Sequence, residues 1–288
     1  MPVEDRWIVR HGLRFHYRDW DGAGTPMLLL HGLASQSHIF DLVAPLLAMS
    51  FRVMALDQRG HGESVKPSAG YAMPSVAEDV RTMMDALKLK RAIIVGHSWG
   101  GNVAVQFGAQ YPQRAAALVL VDGGFIDFQA NPEMTWARTK EMLAPPKLNG
   151  MPVAQFKVML KREAGAVWTP TIEQIVLQSF DILPVQTIRP RLSFEHHLKV
   201  LRGMWEQRPT RLYSHLRAPV LLIPARRKTD DAREQGFLTA KRRALDAAEE
   251  IPSPHETIWF DDTVHDIPLQ RPRKLANAIT RFARSHNL

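Results

Sequence analysis

The sequence predicts an α/β fold: a mostly parallel central β-sheet flanked by helices, with a helical segment inserted between two of its strands. Three observations predict it. Strand and helix patterns alternate through the first third of the chain, as they do where helices connect parallel strands. From Gly124 to about Tyr213 no strand pattern is clear, and helical segments are separated by Pro145-Pro146, Pro152, Pro170, Pro184, Pro190 and Pro209. Apolar strands then return at 220–223 and 257–260.

Taken in order, residues 6–10 and 13–19 read as a hairpin turning at His11-Gly12. Residues 26–31 form a continuous apolar strand, 40–48 have helical spacing, and 51–57 are a second buried strand. Val76, Val80, Met83, Met84 and Leu87 make the apolar face of a helix over 75–88. A strand over 92–96 runs into Gly96-His97-Ser98-Trp99-Gly100-Gly101, followed by a helix over 102–111 that Pro112 stops. Residues 116–121 are again a strand. A long charged helix separates the two late strands, and a last helix covers about 273–283. The expected division is a core of residues 1–123 and 214–288 and a helical cap, or lid, of residues 124–213.

Composition narrows the function classes. The 288 residues are 45% hydrophobic and 23% charged, ordinary for a globular chain, and no apolar run is long enough to cross a bilayer. The charged start, Met1 to Arg6, lacks the apolar core of a secretory signal, so a cytoplasmic location is expected. There is no cysteine, which excludes disulfides, thiolate nucleophiles and cysteine-held metals. No H-E-x-x-H motif points to a metal hydrolase. The net charge of +8 comes from short, scattered basic clusters without interleaved aromatics, the pattern of a solvated surface. No nucleic-acid or membrane partner, no metal and no cofactor is expected.

The strongest signal is G-x-S-x-G between a buried strand and a helix, the setting that this motif requires. The tight turn places Ser98 on strained backbone, and Gly96 and Gly100 carry no Cβ to collide with it. The following helix aims its first amides at developing negative charge. Ser98 is therefore the expected nucleophile.

With these residues the chain resembles the α/β-hydrolase superfamily, as a capped, esterase-like serine hydrolase, over nearly its whole length. Three more segments carry the resemblance. His31-Gly32-Leu33 ends a buried strand, Asp57-Gln58-Arg59-Gly60-His61-Gly62-Glu63-Ser64 matches a D-x-R-G-H-G-x-S segment, and Val264-His265-Asp266 follows a late strand. The resemblance implies that His265 is the general base. It also implies an oxyanion hole made by the backbone N–H groups of Leu33 and Trp99. His97, whose side chain is expected to point away from the reacting centre, and His61 read as packing or structural groups, and His31 as a support for the oxyanion loop.

The third member of the triad is open between two strand ends. The usual place in the superfamily is the loop after the strand at 220–223. Here that loop reads Pro224-Ala225-Arg226-Arg227-Lys228-Thr229-Asp230-Asp231, without the usual glycine, and Asp231 with Glu234 resembles a capping box. Asp122 ends the preceding strand and is the first choice; Asp230 is the alternative, followed by Asp231 and Asp127. The insertion carries Trp136, Met142, Phe156, Met159, Trp168, Phe180, Phe194, Met204, Trp205 and Tyr213, mostly expected as cap core with a few touching substrate.

The expected function is cleavage of carboxylic esters of small to medium, largely apolar substrates through an acyl-enzyme on Ser98. Lactone, amide, carbon–carbon bond or perhydrolase chemistry is the alternative on the same fold. A non-catalytic ligand receptor is the alternative of another class. Epoxide hydrolase and haloalkane dehalogenase chemistry is disfavoured, because those relatives have an aspartate where Ser98 stands.

Overall fold

In the computed structural model, residues 3–227 and 232–288 are described. The chain opens with the hairpin β1 (Glu4–Arg10) and β2 (Leu13–Asp19), turning through His11 and Gly12, both at positive φ. Then come β3 (Pro26–Leu30), a 3-10 turn at Ser37–Phe40, the one-turn helix α1 (Ala44–Leu47) and β4 (Arg52–Leu56). The segment expected as one helix over 40–48 is thus two short turns, with Pro45 at the first turn of α1. Next follow α2 (Met73–Ala86), β5 (Ala92–His97), α3 (Trp99–Gln110) and β6 (Ala115–Val121).

Between β6 and the next sheet strand run α4 (Trp136–Leu143), α5 (Val153–Ala164), α6 (Pro170–Leu177), β7 (Phe180–Ile182), β8 (Ile188–Pro190) and α7 (Phe194–Glu206). The antiparallel pair β7–β8 corrects the expectation of a strand-free segment. Each strand is only three residues long and Pro190 ends one of them, too short for a period-two pattern to register. The chain returns through β9 (Val220–Ile223), β10 (Ala225–Arg226), α8 (Ala232–Asp246), β11 (His255–Thr257), β12 (Phe260–Asp261), α9 (Ile267–Gln270) and α10 (Pro272–Ser285). The strand expected over 257–260 is two short ones, β11 on the main sheet and β12 paired with β10.

The main sheet has eight strands in the order β1-β2-β4-β3-β5-β6-β9-β11, antiparallel at β1–β2 and β2–β4 and parallel elsewhere. Alternation along the strands sends Leu28, Met54, Ile94, Leu118 and Leu222 to one face, against Val76, Val80 and Met83 of α2 and Val103 and Phe107 of α3. Leu29, Val53, Val95, Val119 and Leu221 point to the other face, against Phe40, Leu47 and the α10 residues Leu275, Ile279 and Phe282. With both faces covered, the central strands β3, β4, β5, β6 and β9 are largely apolar. β3 lies between β4 and β5, so the strand order reverses there, and the carboxyl ends of β3 and β5 open a crevice. No helix of the described residues is long and apolar enough to cross a membrane.

Candidate active site

Ser98 stands between β5 and α3 with φ 54° and ψ −121°, a conformation that costs about 1–3 kcal/mol outside glycine. The surroundings leave it no alternative. A Cβ on Gly96 would run into the Gly100 carbonyl, and one on Gly100 into the Leu30 carbonyl. The Ser98 N–H donates to the Val121 carbonyl at 2.9 Å, tying the turn to β6. Its hydroxyl is left in the crevice, with the Trp99 amide among the first four that a helix leaves without an internal acceptor.

His265 lies between β12 and α9. Its Nε2 is 2.9 Å from Ser98 Oγ, and its Nδ1 is 2.6 Å from Asp122 Oδ2. Asp122 directly follows β6 at φ 44° and its carboxylate is fully buried. The other oxygen, Oδ1, accepts the Ala225 N–H at 2.9 Å. Burial alone would raise this acid, but the hydrogen bond and charge of His265, with those of Lys241, hold it down at about 2. Asp122 is therefore a carboxylate at neutral pH. Desolvation lowers the basicity of His265, yet its bond to Asp122 outweighs this and raises it above the ordinary value. Asp127 pairs instead with Arg208, at 2.7 Å, and Thr210. Asp230 and Asp231 lie outside the described residues.

The loop after β3 is pinned by neutral histidines. Burial lowers the basicity of both His31 and His61. His31 Nδ1–H donates to the Gly32 carbonyl at 2.8 Å while its Nε2 accepts the Gln58 N–H at 3.0 Å. His61 donates to the Arg59 carbonyl and accepts the Ala34 N–H at 3.4 Å, and its ring stacks on Trp99. The loop carrying Leu33 is thus fixed beside Ser98. Beneath it, the buried Asp57 accepts from His16 Nδ1 at 2.7 Å, Ser37 N–H at 2.8 Å and Glu63 N–H at 2.9 Å.

His97 is placed otherwise than the sequence suggested. Rather than turning away from the reacting centre, its ring lies 5.0 Å from that of His265. Its Nε2–H donates to the His265 carbonyl at 2.9 Å. Burial, then the neighbouring His265, push it down to about 4, so the ring is a neutral strut. Lys241, on α8, was missed altogether: its ammonium contacts both oxygens of Asp122. One basic residue in a charged helix gives no local signal of such a contact.

Ser98 and His265 are shared by two lobes of the crevice. One, of about 200 Å³, is lined by the loop from Gly32 to Gln36 with Ile39, Ile175 and Val176. The other, of about 560 Å³, is bounded by Ile126, Phe128, Leu143, Leu201 and Met204 and, on one wall, by Lys241. Of the large insertion side chains, Met204 lines this lobe, whereas Phe156 and Tyr213 are buried in packing. Phe180 and Phe194 line a neighbouring cavity of about 680 Å³ that shares Ala34, Ser35 and Ser179 with the smaller lobe and His197 with the larger.

Residues 25–153 match the family described as the alpha/beta hydrolase fold. A serine hydrolase-like protein of Danio rerio is 46% identical over 101 residues, 34% of this chain and 31% of that protein. A 2-(acetamidomethylene)succinate hydrolase of Mesorhizobium japonicum is 39% identical over 101 residues, 35% of this chain and 36% of that protein. The chain thus aligns with about a third of the length of these curated relatives. The crystal structure of an E-2-(acetamidomethylene)succinate hydrolase superposes with a TM-score of 0.77 over 98% of this chain and 100% of the other, at 24% identity.

Proposed function

We propose that this chain, a member of the α/β-hydrolase superfamily, is a serine hydrolase that cleaves carboxylic esters of small to medium, largely apolar substrates through an acyl-enzyme on Ser98. The observation that carries the reading is the hydrogen-bonded line from Ser98 Oγ through His265 to the buried Asp122. In this reading His265 Nε2 takes the Ser98 proton as Oγ adds to the ester carbonyl. The N–H groups of Leu33 and Trp99 receive the oxyanion. His265 then protonates the departing alcohol, leaving the acyl group on Ser98. Water, deprotonated by the same imidazole, releases the acid and restores the serine. Asp122 holds the Nδ1–H tautomer and faces the imidazolium as it forms. The two lobes meeting at Ser98 suit the acyl and alcohol parts of an ester, and their mostly apolar walls suit uncharged groups. The insertion of residues 124–213 acts as the cap that supplies Met204 and Leu201 to the larger lobe.

One observation favours a second reading of the bond broken. The likeness to E-2-(acetamidomethylene)succinate hydrolase extends over nearly the whole fold, so a substrate of that kind belongs in the panel beside esters, lactones and amides. The test of the nucleophile comes first. A fluorophosphonate adduct mapped by peptide mass should sit on Ser98, and Ser98→Ala should lower kcat on 4-nitrophenyl esters by about four to six orders of magnitude. An adduct on another residue, or an active Ser98→Ala protein, would remove the proposal.

A further inference from the structure

Lys241 projects from α8, 119 residues along the chain from Asp122. Its ammonium lies 2.7 Å from Asp122 Oδ1 and 2.9 Å from Oδ2, and donates to the Ala225 carbonyl at 3.0 Å. The same Oδ2 accepts His265 Nδ1–H at 2.6 Å. A lysine and a histidine therefore share one carboxylate oxygen. The Asp122 carboxylate is fully buried and the Lys241 side chain only 14% exposed, so bulk water screens the contact weakly.

We propose that Lys241 is a positioning residue that sets the working pH of the site: its fixed charge on the carboxylate shared with His265 keeps that imidazole neutral to a lower pH than Asp122 alone would allow. The inference rests on the Ser98–His265–Asp122 reading. An ammonium remains charged throughout the range in which an imidazole titrates. With Lys241 in place, a proton added to His265 enters a cluster of one carboxylate and one ammonium. Without it, the same proton meets an uncompensated buried carboxylate and is held more tightly.

Among the described residues, the other groups that bear on the His265 ring come from several elements. Asp122 at the end of β6 and Asp266, its neighbour before α9, both favour the imidazolium; Lys241 opposes it. His97 at the end of β5 stays neutral, and Ser98 is uncharged. Among the described residues, Arg226, paired with Asp261, and Arg227 also line the larger lobe, but Lys241 is a cation held directly on the carboxylate that His265 shares. A lysine that merely braced Asp122 would, when removed, lower turnover equally at every pH. A lysine acting through charge displaces the acid limb.

The test uses Lys241→Gln, which keeps an N–H donor and loses the charge, Lys241→Met, which loses both, and Lys241→Arg, which keeps the charge. Proteins carrying 13C-labelled histidine are titrated by NMR, the His265 signal being assigned by its absence in His265→Ala. The His265 midpoint should rise by about one pH unit in the Gln and Met variants and return near the wild-type value in the Arg variant. The acid limb of kcat/KM on 4-nitrophenyl acetate should move the same way. An unchanged or lowered midpoint in folded Lys241→Gln would overturn the proposal. Because the titration reads the ring and not turnover, it is separable from the nucleophile. An active Ser98→Ala protein would defeat the triad, whatever the Lys241 variants do to His265.

Discussion

Replacing Asp122 by asparagine keeps the shape of the side chain and removes one acceptor oxygen. The carboxylate now faces His265 Nδ1, the Ala225 N–H and, through both oxygens, the Lys241 ammonium. The Ala225 amide and the ammonium can only donate. The imidazole alone can change role, by moving its proton to the other nitrogen. The single oxygen of asparagine should therefore turn toward Ala225 and Lys241, and its NH2 toward His265 Nδ1. The ring would then carry its proton on Nε2, facing Ser98 Oγ, where it cannot accept one. The expected loss is about 10³–10⁴ in kcat/KM, or about 4–5.5 kcal/mol of transition-state stabilisation. Stability should fall by about 1–3 kcal/mol, since a mostly shielded ammonium loses its counter-charge. Steady-state hydrolysis of 4-nitrophenyl butyrate, with thermal unfolding to show that the fold persists, measures both. Activity within tenfold of wild type in a folded Asp122→Asn protein would refute the assignment and turn attention to Asp230.

Two further predictions follow from the surroundings. His97→Phe keeps the ring and deletes the donor to the His265 carbonyl, so kcat should fall about 10–100-fold with KM within about threefold; an unchanged kcat would show that the strut does not position the base. Asp57→Asn should destabilise the fold by about 2–4 kcal/mol, lowering Tm by roughly 5–15 °C, because it breaks a buried charge pair. Its effect has a pH window. Asp57 titrates below the ordinary carboxylate range in the folded state, despite burial, because His16 and the surrounding donors favour its charge, so its contribution fades as pH falls below about 4. The basicity of His16 is raised: burial opposes this, but Asp57 outweighs it, so its contribution fades as pH rises past about 6.5. The Tm gap between wild type and variant should be widest between those limits, and a gap that widened toward pH 9 would contradict the pairing.

The parts legible in the sequence are those written locally. Ser98 sits in a six-residue turn whose strand, glycines and helix are contiguous, and the apolar face of α2 repeats within one window. Asp122 was a matter of topology: nothing around it distinguishes a strand-end aspartate from a buried acid until β5 and β6 are laid side by side. His97 misled because alternation along β5 predicts only which face a side chain takes, not that the loop carrying His265 will cross over it. Lys241 was illegible for a related reason, since its partner is more than a hundred residues away. The insertion gave its helices through proline spacing but not its hairpin, and its aromatics sort into packing and lining residues only once the chain is folded.

The position of Asp122 has a bearing on inheritance. With the acid on β6, the segment after β9 is released from supplying one. Mutations there can lengthen, shorten or recharge the rim of the larger lobe as long as Ala225 and Lys241 keep their contacts with Asp122. Leu33, Ser98, Trp99 and Asp122 all fall within residues 25–153, and His265 and Lys241 are drawn from the distal stretch. On the Asp122 reading, selection for new substrates can act on the second half of the chain, and selection for the chemistry on the first, with His265 and Lys241 as the links that must survive both.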